Sequence, residues 1–502
     1  MVDHLIVAFQ LLFTPYVLGV IIMAGAYGLF VGSIPGLTAT MATALLIPVT
    51  FFMDPIPAIG AIVTMTAMAI FAGDIPGALL RIPGTPSSAA YVEESYALTR
   101  KGQAELVLGV DLADAVMGGL FGAVVLMFMA PILAEVSIRF TSFEFFWLAV
   151  IGLSTSVMVS RGSLTKAMIS LLIGLFVATI GIDITMGYPR FNLGSIELLG
   201  GVGFIPAMIG MFGLSEVLRN VTSGDLGTLQ QVKRLGSLFK GIGSTLLKYK
   251  INVLRGSVLG TVIGILPGAG ADIAAWVSYG LSKRLSKEPE KFGTGHIEGI
   301  VGAGSANNAA LGGAWIPALV FGIPGDSITA IVIGVLYMKG LQPGPMLFTR
   351  TPEMLYAVYL TFILANLLLL PMGYMAIKLS SRILSVPRNV LMPIILMFCI
   401  VGAFAINNTV FDIGVMLVMG LLAFFMEEND FPVAPAILGI VLGPLLEESF
   451  VVSMIKSQWN PLEFFTRPMA LVLGLVAVGV WITPLFVAVG PLLGLGQNSK
   501  SS

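Results

Sequence analysis

Gly32-Ser33-Ile34-Pro35-Gly36-Leu37-Thr38-Ala39-Thr40 and Gly264-Ile265-Leu266-Pro267-Gly268-Ala269-Gly270-Ala271-Asp272 are two versions of one string. Each lies in the middle of a long apolar stretch. Proline removes a backbone donor and breaks a helix, and glycine admits positive φ. Each Pro-Gly step therefore predicts an interrupted helix. The halves match again further on. Gly73-Asp74-Ile75-Pro76 followed by Ile82-Pro83-Gly84-Thr85-Pro86-Ser87-Ser88-Ala89 answers Gly313-Ala314-Trp315-Ile316-Pro317 followed by Ile323-Pro324-Gly325-Asp326-Ser327-Ile328-Thr329-Ala330. Seven residues separate the first proline from the second in both halves. Two motifs recurring in the same order identify an internal duplication.

What surrounds the motifs is membrane-like. The chain has 502 residues, with 26 Lys and Arg against 27 Asp and Glu, so that only 11% are charged and 57% are hydrophobic. The mean hydropathy is +0.97. So few charges do not cover the surface of a soluble protein of this length. A disordered chain and a secreted disulfide scaffold are excluded as well, and the net charge of −1 offers no basic face to nucleic acid. One cysteine, Cys399, forms no internal disulfide, and two histidines, His4 and His296, do not make a multi-histidine metal site. The apolar stretches run without period-2 alternation, which indicates helices rather than a barrel. The opening MVDHLIVAFQLLF has no basic n-region and reads as a retained first membrane segment.

The fold class expected is an all-α polytopic membrane protein with roughly 10–14 membrane segments. Residues 1–218 would form a first transmembrane repeat, 219–255 a basic cytoplasmic connection, 256–465 a second repeat, and 466–502 a C-terminal membrane segment and tail. The interval Arg219–Arg255 carries seven bases and one acid, Asp225. By the positive-inside rule it is cytoplasmic, and the base-free turns at Asp54 and Glu427–Asp430 are external candidates, carrying solvated loop charges. Opposite charge signatures around the two Pro-Gly strings point to inverted repeats with re-entrant or discontinuous helices. A parallel duplication is the alternative.

Broken helices at membrane depth are tolerated where the backbone lines a cavity or is buried in protein. The half-helix after each break turns its N–H groups inward, which suits a carboxylate. The candidate substrate-binding residues are Pro35, Gly36, Thr38, Thr40, Arg81, Pro83, Gly84, Thr85, Ser87, Ser88, Pro267, Gly268, Asn307, Asn308, Pro324, Gly325 and Ser327. Asp74, Asp272, Ser305, Asp326 and Thr329 supply oxygens for a coupling cation. Helix–helix hydrogen bonding is the plain alternative for any one of them. Arg81 either clamps a substrate carboxylate or pairs with Asp74. No G-x-S-x-G or G-x-x-x-x-G-K-[ST] string occurs, so the sequence does not read as an enzyme or an ATPase. Gly118 and Gly122 form one G-x-x-x-G, a weak helix-packing signal.

GSIPGLTATMATALLIPVTF, RIPGTPSSAA, ILPGAGADIAAWVSYGLSK and SANNAALGGAWIPALVFGIPGDSITA resemble the large membrane subunit of the tripartite tricarboxylate transporter family, over roughly residues 10–470. The resemblance implies a secondary transporter of the bacterial inner membrane. It would work with a small four-helix membrane subunit and a periplasmic solute-binding protein. The implied substrates are small carboxylates: citrate, other tri- and dicarboxylates, or aromatic acids. Uptake would be driven by Na⁺ or H⁺, with no other cofactor, and the two-hairpin layout implies an elevator-like movement. Membrane lipid is the remaining partner, and nucleic acid is none. The sequence departs from the family at Gly304-Ser305, where a Pro-Glu pair is expected. It departs again at Tyr91-Val92-Glu93-Glu94-Ser95, where an Asp-Gly is expected. An ion channel or a structural membrane scaffold is the rival reading.

Overall fold

The computed structural model describes residues 2–160, 163–183, 185, 187–222, 238, 241–384 and 388–489. In chain order the helices are α1 (Val2–Leu12), α2 (Pro15–Gly32), α3 (Ala39–Phe51), α4 (Pro55–Ala72), α5 (Asp74–Leu80), α6 (Val92–Arg100), α7 (Ala104–Ser137), α8 (Ser142–Val159) and α9 (Leu164–Ala178). They continue with α10 (Phe204–Met208), α11 (Ser215–Thr222), α12 (Ile242–Lys248), α13 (Lys250–Ile265), α14 (Gly270–Leu285), α15 (Ile297–Phe321), α16 (Ser327–Met338) and α17 (Pro345–Arg350). The last are α18 (Pro352–Ile383), α19 (Arg388–Asn407), α20 (Val410–Glu428), α21 (Val433–Lys456) and α22 (Pro468–Val489). A π-helical turn, Ile209–Leu214, joins α10 to α11. One two-residue antiparallel pair, Gly181–Ile182 with Pro189–Arg190, breaks the all-helical rule.

Among the described residues seven helical segments are long and apolar enough to cross a membrane. Five shorter apolar helices, α3, α8, α9, α16 and the described part of α22, accompany them. Large apolar side chains stand exposed on the long helices, Met23, Phe128, Met397 and Val418 among them. A water-facing surface would not carry such a patchwork.

Local chemistry explains the boundaries. Thr14 and Thr38 cap α2 and α3 by accepting from the N–H groups of Val17 and Met41. Proline at the first position opens α2, α4 and α18, where its missing N–H has no helical partner in any case.

The chain forms two compact units, residues 1–138 with 202–429, and 139–201 with 430–502. In the first, glycines let backbones touch. Gly28 and Gly32 of α2 lie on Met65 and Ala69 of α4. Gly256, Gly260 and Gly264 of α13 lie on Gly302, Ala306 and Ala310 of α15. In each pair the contacts advance in the same sense, so the helices run parallel. Gly118 and Gly122 of α7 meet Ser305 and Ala309 of α15, again in parallel. Likewise Gly60 and Phe71 of the first half lie beside Thr361 and Gly373 of α18. Gly119 meets Asn366 and Leu112 meets Gly373, which makes α7 and α18 antiparallel. It follows that α4 and α15 point in opposite directions. Such small-residue seams supply close van der Waals contact where lipid removes the hydrophobic drive between helices.

Two turns read as base-free have bases in space. The ammonium of Lys339 donates to the carbonyls of Phe51 (2.7 Å) and Met53 (2.5 Å), beside Asp54. Arg219 pairs with Glu216 and lies 3.5 Å from Glu427. The head of the basic interval and the acidic turn at Glu427 therefore share one face, which corrects their assignment to opposite sides. Counting charges along the chain misses bases brought in from distant helices. Lys233, Arg234 and Lys240 of the interval lie outside the described residues.

The second unit is built from α8, α9, α21 and α22. Its aromatic cluster joins Phe143, Phe146 and Trp147 to Phe464. Glu144 is buried there. It accepts from the Thr141 N–H (2.8 Å) and hydroxyl (2.7 Å), and from Arg467 Nε (2.8 Å). Arg467 itself is 43% exposed. Arg467→Met should leave that carboxylate unpaired and lower stability by about 1–3 kcal/mol, between the values for exposed and buried pairs. A thermal melt of the purified variant coinciding with wild type would refute this.

Candidate functional site

Both Pro-Gly steps interrupt helices. Pro35 is buried and Gly36, at φ 90°, turns α2 into α3. Pro267 and Gly268, at φ 82°, turn α13 into α14. Thr38 serves as the α3 cap, with Thr40 half-buried in the first turn. Asp272 stands on the first turn of α14 and is exposed.

The second breaks are built alike. In the first half the Ile82 N–H donates to the Pro76 carbonyl (3.4 Å), and in the second the Ile323 N–H donates to the Pro317 carbonyl (3.2 Å). The helix before each ends in the left-handed region, at Arg81 (φ 62°) and at Gly322 (φ 68°). Pro83-Gly84 and Pro324-Gly325 follow. The Gly84 N–H donates to the Gly73 carbonyl (2.9 Å), and the Gly325 carbonyl accepts from the Gly268 N–H (2.8 Å). The latter bond joins the two breaks of the second half.

A reciprocal cap comes next in both halves. The Thr85 N–H donates to Ser88 Oγ (3.1 Å) and the Ser88 N–H to Thr85 Oγ1 (3.2 Å). The Asp326 N–H donates to Thr329 Oγ1 (2.9 Å) and the Thr329 N–H to Asp326 Oδ1 (2.7 Å). This is capping-box chemistry, and it engages four of the predicted side chains. Ser87 Oγ lies 2.9 Å from Thr85 Oγ1, and Ser327 begins α16. The halves also touch here: Trp276 Nε1 of α14 donates to the Pro86 carbonyl (3.2 Å).

Arg81 does not pair with Asp74. Its guanidinium, on an exposed side chain, donates to Glu93 Oε1 from Nε (3.0 Å) and Nη2 (2.9 Å). The left-handed turn aims it away from the helix that carries Asp74. Asp74 instead accepts from the hydroxyl of Tyr91 at 2.7 Å.

Asn307 and Asn308 are buried at the meeting of α15 with the first half. Asn307 Nδ2 donates to Tyr91 Oη and Asn308 Nδ2 to the Ala67 carbonyl, both at 3.5 Å. Among the described residues neither amide oxygen has a partner. A buried acceptor left unmatched is destabilising by about 1–3 kcal/mol, and native folds carry few of them. Ser305, by contrast, is satisfied inside its own helix by the Val301 carbonyl (2.8 Å).

Asp111 and Asp114 of this neighbourhood are not among the sequence candidates, and Tyr91 enters there only as part of a departing stretch. A signal existed, since two acids three residues apart inside the apolar stretch of α7 are expensive in a membrane. Gly304, one of the departing positions, backs directly onto both. A Cβ there would lie 2.5 Å from Asp114 Oδ1 and 3.0 Å from Asp111 Oδ1.

Residues 18–438 match the model of the tripartite tricarboxylate transporter TctA family. The chain is 34% identical, over 96% of its length and 97% of the relative's, to the "Uncharacterized 52.8 kDa protein in TAR-I ttuC' 3'region" of Agrobacterium vitis. It is also 39% identical, over 45% of its length and 94% of the relative's, to the "Uncharacterized protein in TAR-II ttuC' 3'region" of the same organism. No solved structure matches. The chain belongs to the tripartite tricarboxylate transporter TctA family and is a multi-pass membrane transporter subunit, not an enzyme.

Proposed function

We propose that this chain is the large permease subunit of a binding-protein-dependent importer in the bacterial inner membrane. It takes up small carboxylates, such as citrate, other tri- and dicarboxylates or aromatic acids, with a cation gradient as the driving force. A small four-helix membrane subunit and a periplasmic solute-binding protein complete the system.

The observation that carries the reading is the same break built twice. Each half runs helix, Pro-Gly step, helix, long helical stretch, Ile-Pro-Gly step and reciprocal cap, and reaches a long helix, α7 or α18, after α6 in the first half and after α16 and α17 in the second. The pairings also correspond: α2 lies parallel to α4 as α13 does to α15, and α18 to α4 as α7 does to α15. Corresponding long helices run in opposite directions, which supports inverted repeats rather than a parallel duplication. Here the solute sits between the Pro-Gly and Ile-Pro-Gly steps, with the unmatched oxygens of Asn307 and Asn308 and the N-terminal N–H groups of α3, α14 and α16 nearby. Anions favour such helix starts. Alternating access moves this core in an elevator-like manner.

The test is uptake of labelled carboxylates into proteoliposomes holding this chain and its small partner, with the binding protein outside. Asn307→Ala with Asn308→Ala should abolish saturable uptake while the protein still inserts and purifies. Normal uptake in that variant would sink the site. Flux in wild type that needs neither gradient nor binding protein would instead favour a channel.

A further inference from the structure

Three carboxyl groups are buried together beside the proposed solute site. Asp74 opens α5, and Asp111 and Asp114 stand three residues apart on one face of α7. They are 5%, 2% and 0% exposed. Asp111 Oδ1 and Asp114 Oδ1 converge on Gly304, at 3.0 Å and 2.5 Å from the position a Cβ there would take. Asp111 Oδ1 and both oxygens of Asp114 have no donor among the described residues. Asn307, fully buried, reaches in from α15. Its Nδ2 is on Tyr91 Oη, its Oδ1 is unmatched, and Tyr91 in turn donates to Asp74.

Among the described residues no base pairs with these acids. The ionisable side chains of the surrounding helices are engaged elsewhere. Glu94 of α6 accepts from Tyr279 and from the backbone of Gly295 and His296. Glu298 of α15 accepts from Asn252 and Ser286. Arg255 of α13 donates to Ser282, and Lys248 of α12 lies over the Tyr249 ring. On α18, Lys378 lies over the Tyr374 ring, and Arg382 stands a further turn along. α4, at Ala67–Ala72, and α15, at Gly304, present no ionisable group.

Adjacent buried carboxyls do not all ionise without a cation between them. Two carboxyls so close to one another suit one shared proton. We propose that Asp111, Asp114 and Asp74 form the site of the coupling proton. The inference rests on the transporter reading above. In each cycle a carboxylate here takes one proton from hydronium on the outer side, its O–H bond forming as one in hydronium breaks to leave water, and gives the proton to water on the inner side, re-forming hydronium. The site has a mechanical link to the solute. Asp74 adjoins Gly73, whose carbonyl receives the Gly84 N–H of the Ile-Pro-Gly break, and Tyr91 reports the state of Asp74 to Asn307.

The test uses the full chain with its membrane partner and binding protein. Asp111→Asn and Asp114→Asn mimic the protonated state. Each should lose solute accumulation driven by an inward proton gradient, yet keep counterflow of labelled against unlabelled solute, which a merely structural lesion would not spare. A second readout needs no transport. Because carboxyls held protonated in the fold are ionised in the unfolded chain above about pH 4, the melting temperature of the purified wild-type chain should fall as the pH is raised from there, and the Asn variants should flatten that fall. Wild type alone decides it should a variant fail to fold: a flat profile overturns the proposal. So does stabilisation by NaCl that disappears in Asp114→Asn, which would make the site a sodium site. Accumulation at wild-type level in both variants also overturns it. Absence of any uptake by wild type, with the melting profile as expected, would count against the transporter reading and leave the proton site standing.

Discussion

Gly118→Leu is expected to yield no stably folded chain, because position 118 has no room for a single extra carbon. A β-carbon there would fall on the Ser305 backbone, within 2.9 Å of its Cα and carbonyl carbon. All three nearest atoms belong to a buried helix that also carries α13 on its other side, so none can swing aside. Removing glycine from a helix interior gains about 1 kcal/mol in propensity. Forcing methylenes into a packed core loses about 1–3 kcal/mol, and more where backbone must move. The loss wins, and the α7–α15 seam opens. Gly19→Leu and Gly280→Leu are the controls, since a β-carbon at either meets nothing within 4 Å. Size-exclusion profiles and thermal melts of the three variants make the comparison. A monodisperse Gly118→Leu protein melting with wild type would show that the seam does not hold the core.

That seam also shows what was legible in the sequence and what was not. Pro35-Gly36 and Pro267-Gly268 could be read as breaks because proline and glycine act through their own backbone, whatever surrounds them. The matching of the Ile-Pro-Gly steps was legible for the same reason. In sequence Thr85 with Ser88 and Asp326 with Thr329 stand out as polar residues after a break, and their three-residue spacing is that of a reciprocal cap. Partners far apart in the chain were illegible. Arg81 was offered Asp74, seven residues away, and took Glu93, because a left-handed residue turned the side chain outward. Arg219 with Glu427, and Lys339 beside Asp54, depend on helix packing that no count of nearby charges reveals. Asp111 and Asp114, by contrast, are legible in the sequence, since two acids in an apolar stretch carry a known cost in a membrane.

Gly84→Ala and Gly325→Ala should each eliminate uptake, and to a similar extent. A β-carbon on Gly84 would lie 2.6 Å from the Gly73 Cα, 2.8 Å from the Gly32 carbonyl oxygen and 2.9 Å from that of Gly73. On Gly325 it would lie 2.7 Å from the Ala314 Cα, 2.8 Å from its Cβ and 2.9 Å from its oxygen. In both halves the Ile-Pro-Gly step is pressed on a long helix, so one methyl must lift the loop and strain the cap that follows. The expected destabilisation is about 1–3 kcal/mol, which a membrane protein survives while the break loses its position. Gly77→Ala is the control on α5, where the nearest atom to a new β-carbon is Val92 Cγ2 at 3.4 Å. Uptake with the binding protein present, set beside insertion and melting temperature, reads the result. Equal losses at Gly84 and Gly325 would mean that both halves hold the solute. Loss at one alone would mean that the duplicated break positions the solute in one half and only packs in the other, and the site would then be redrawn around that half.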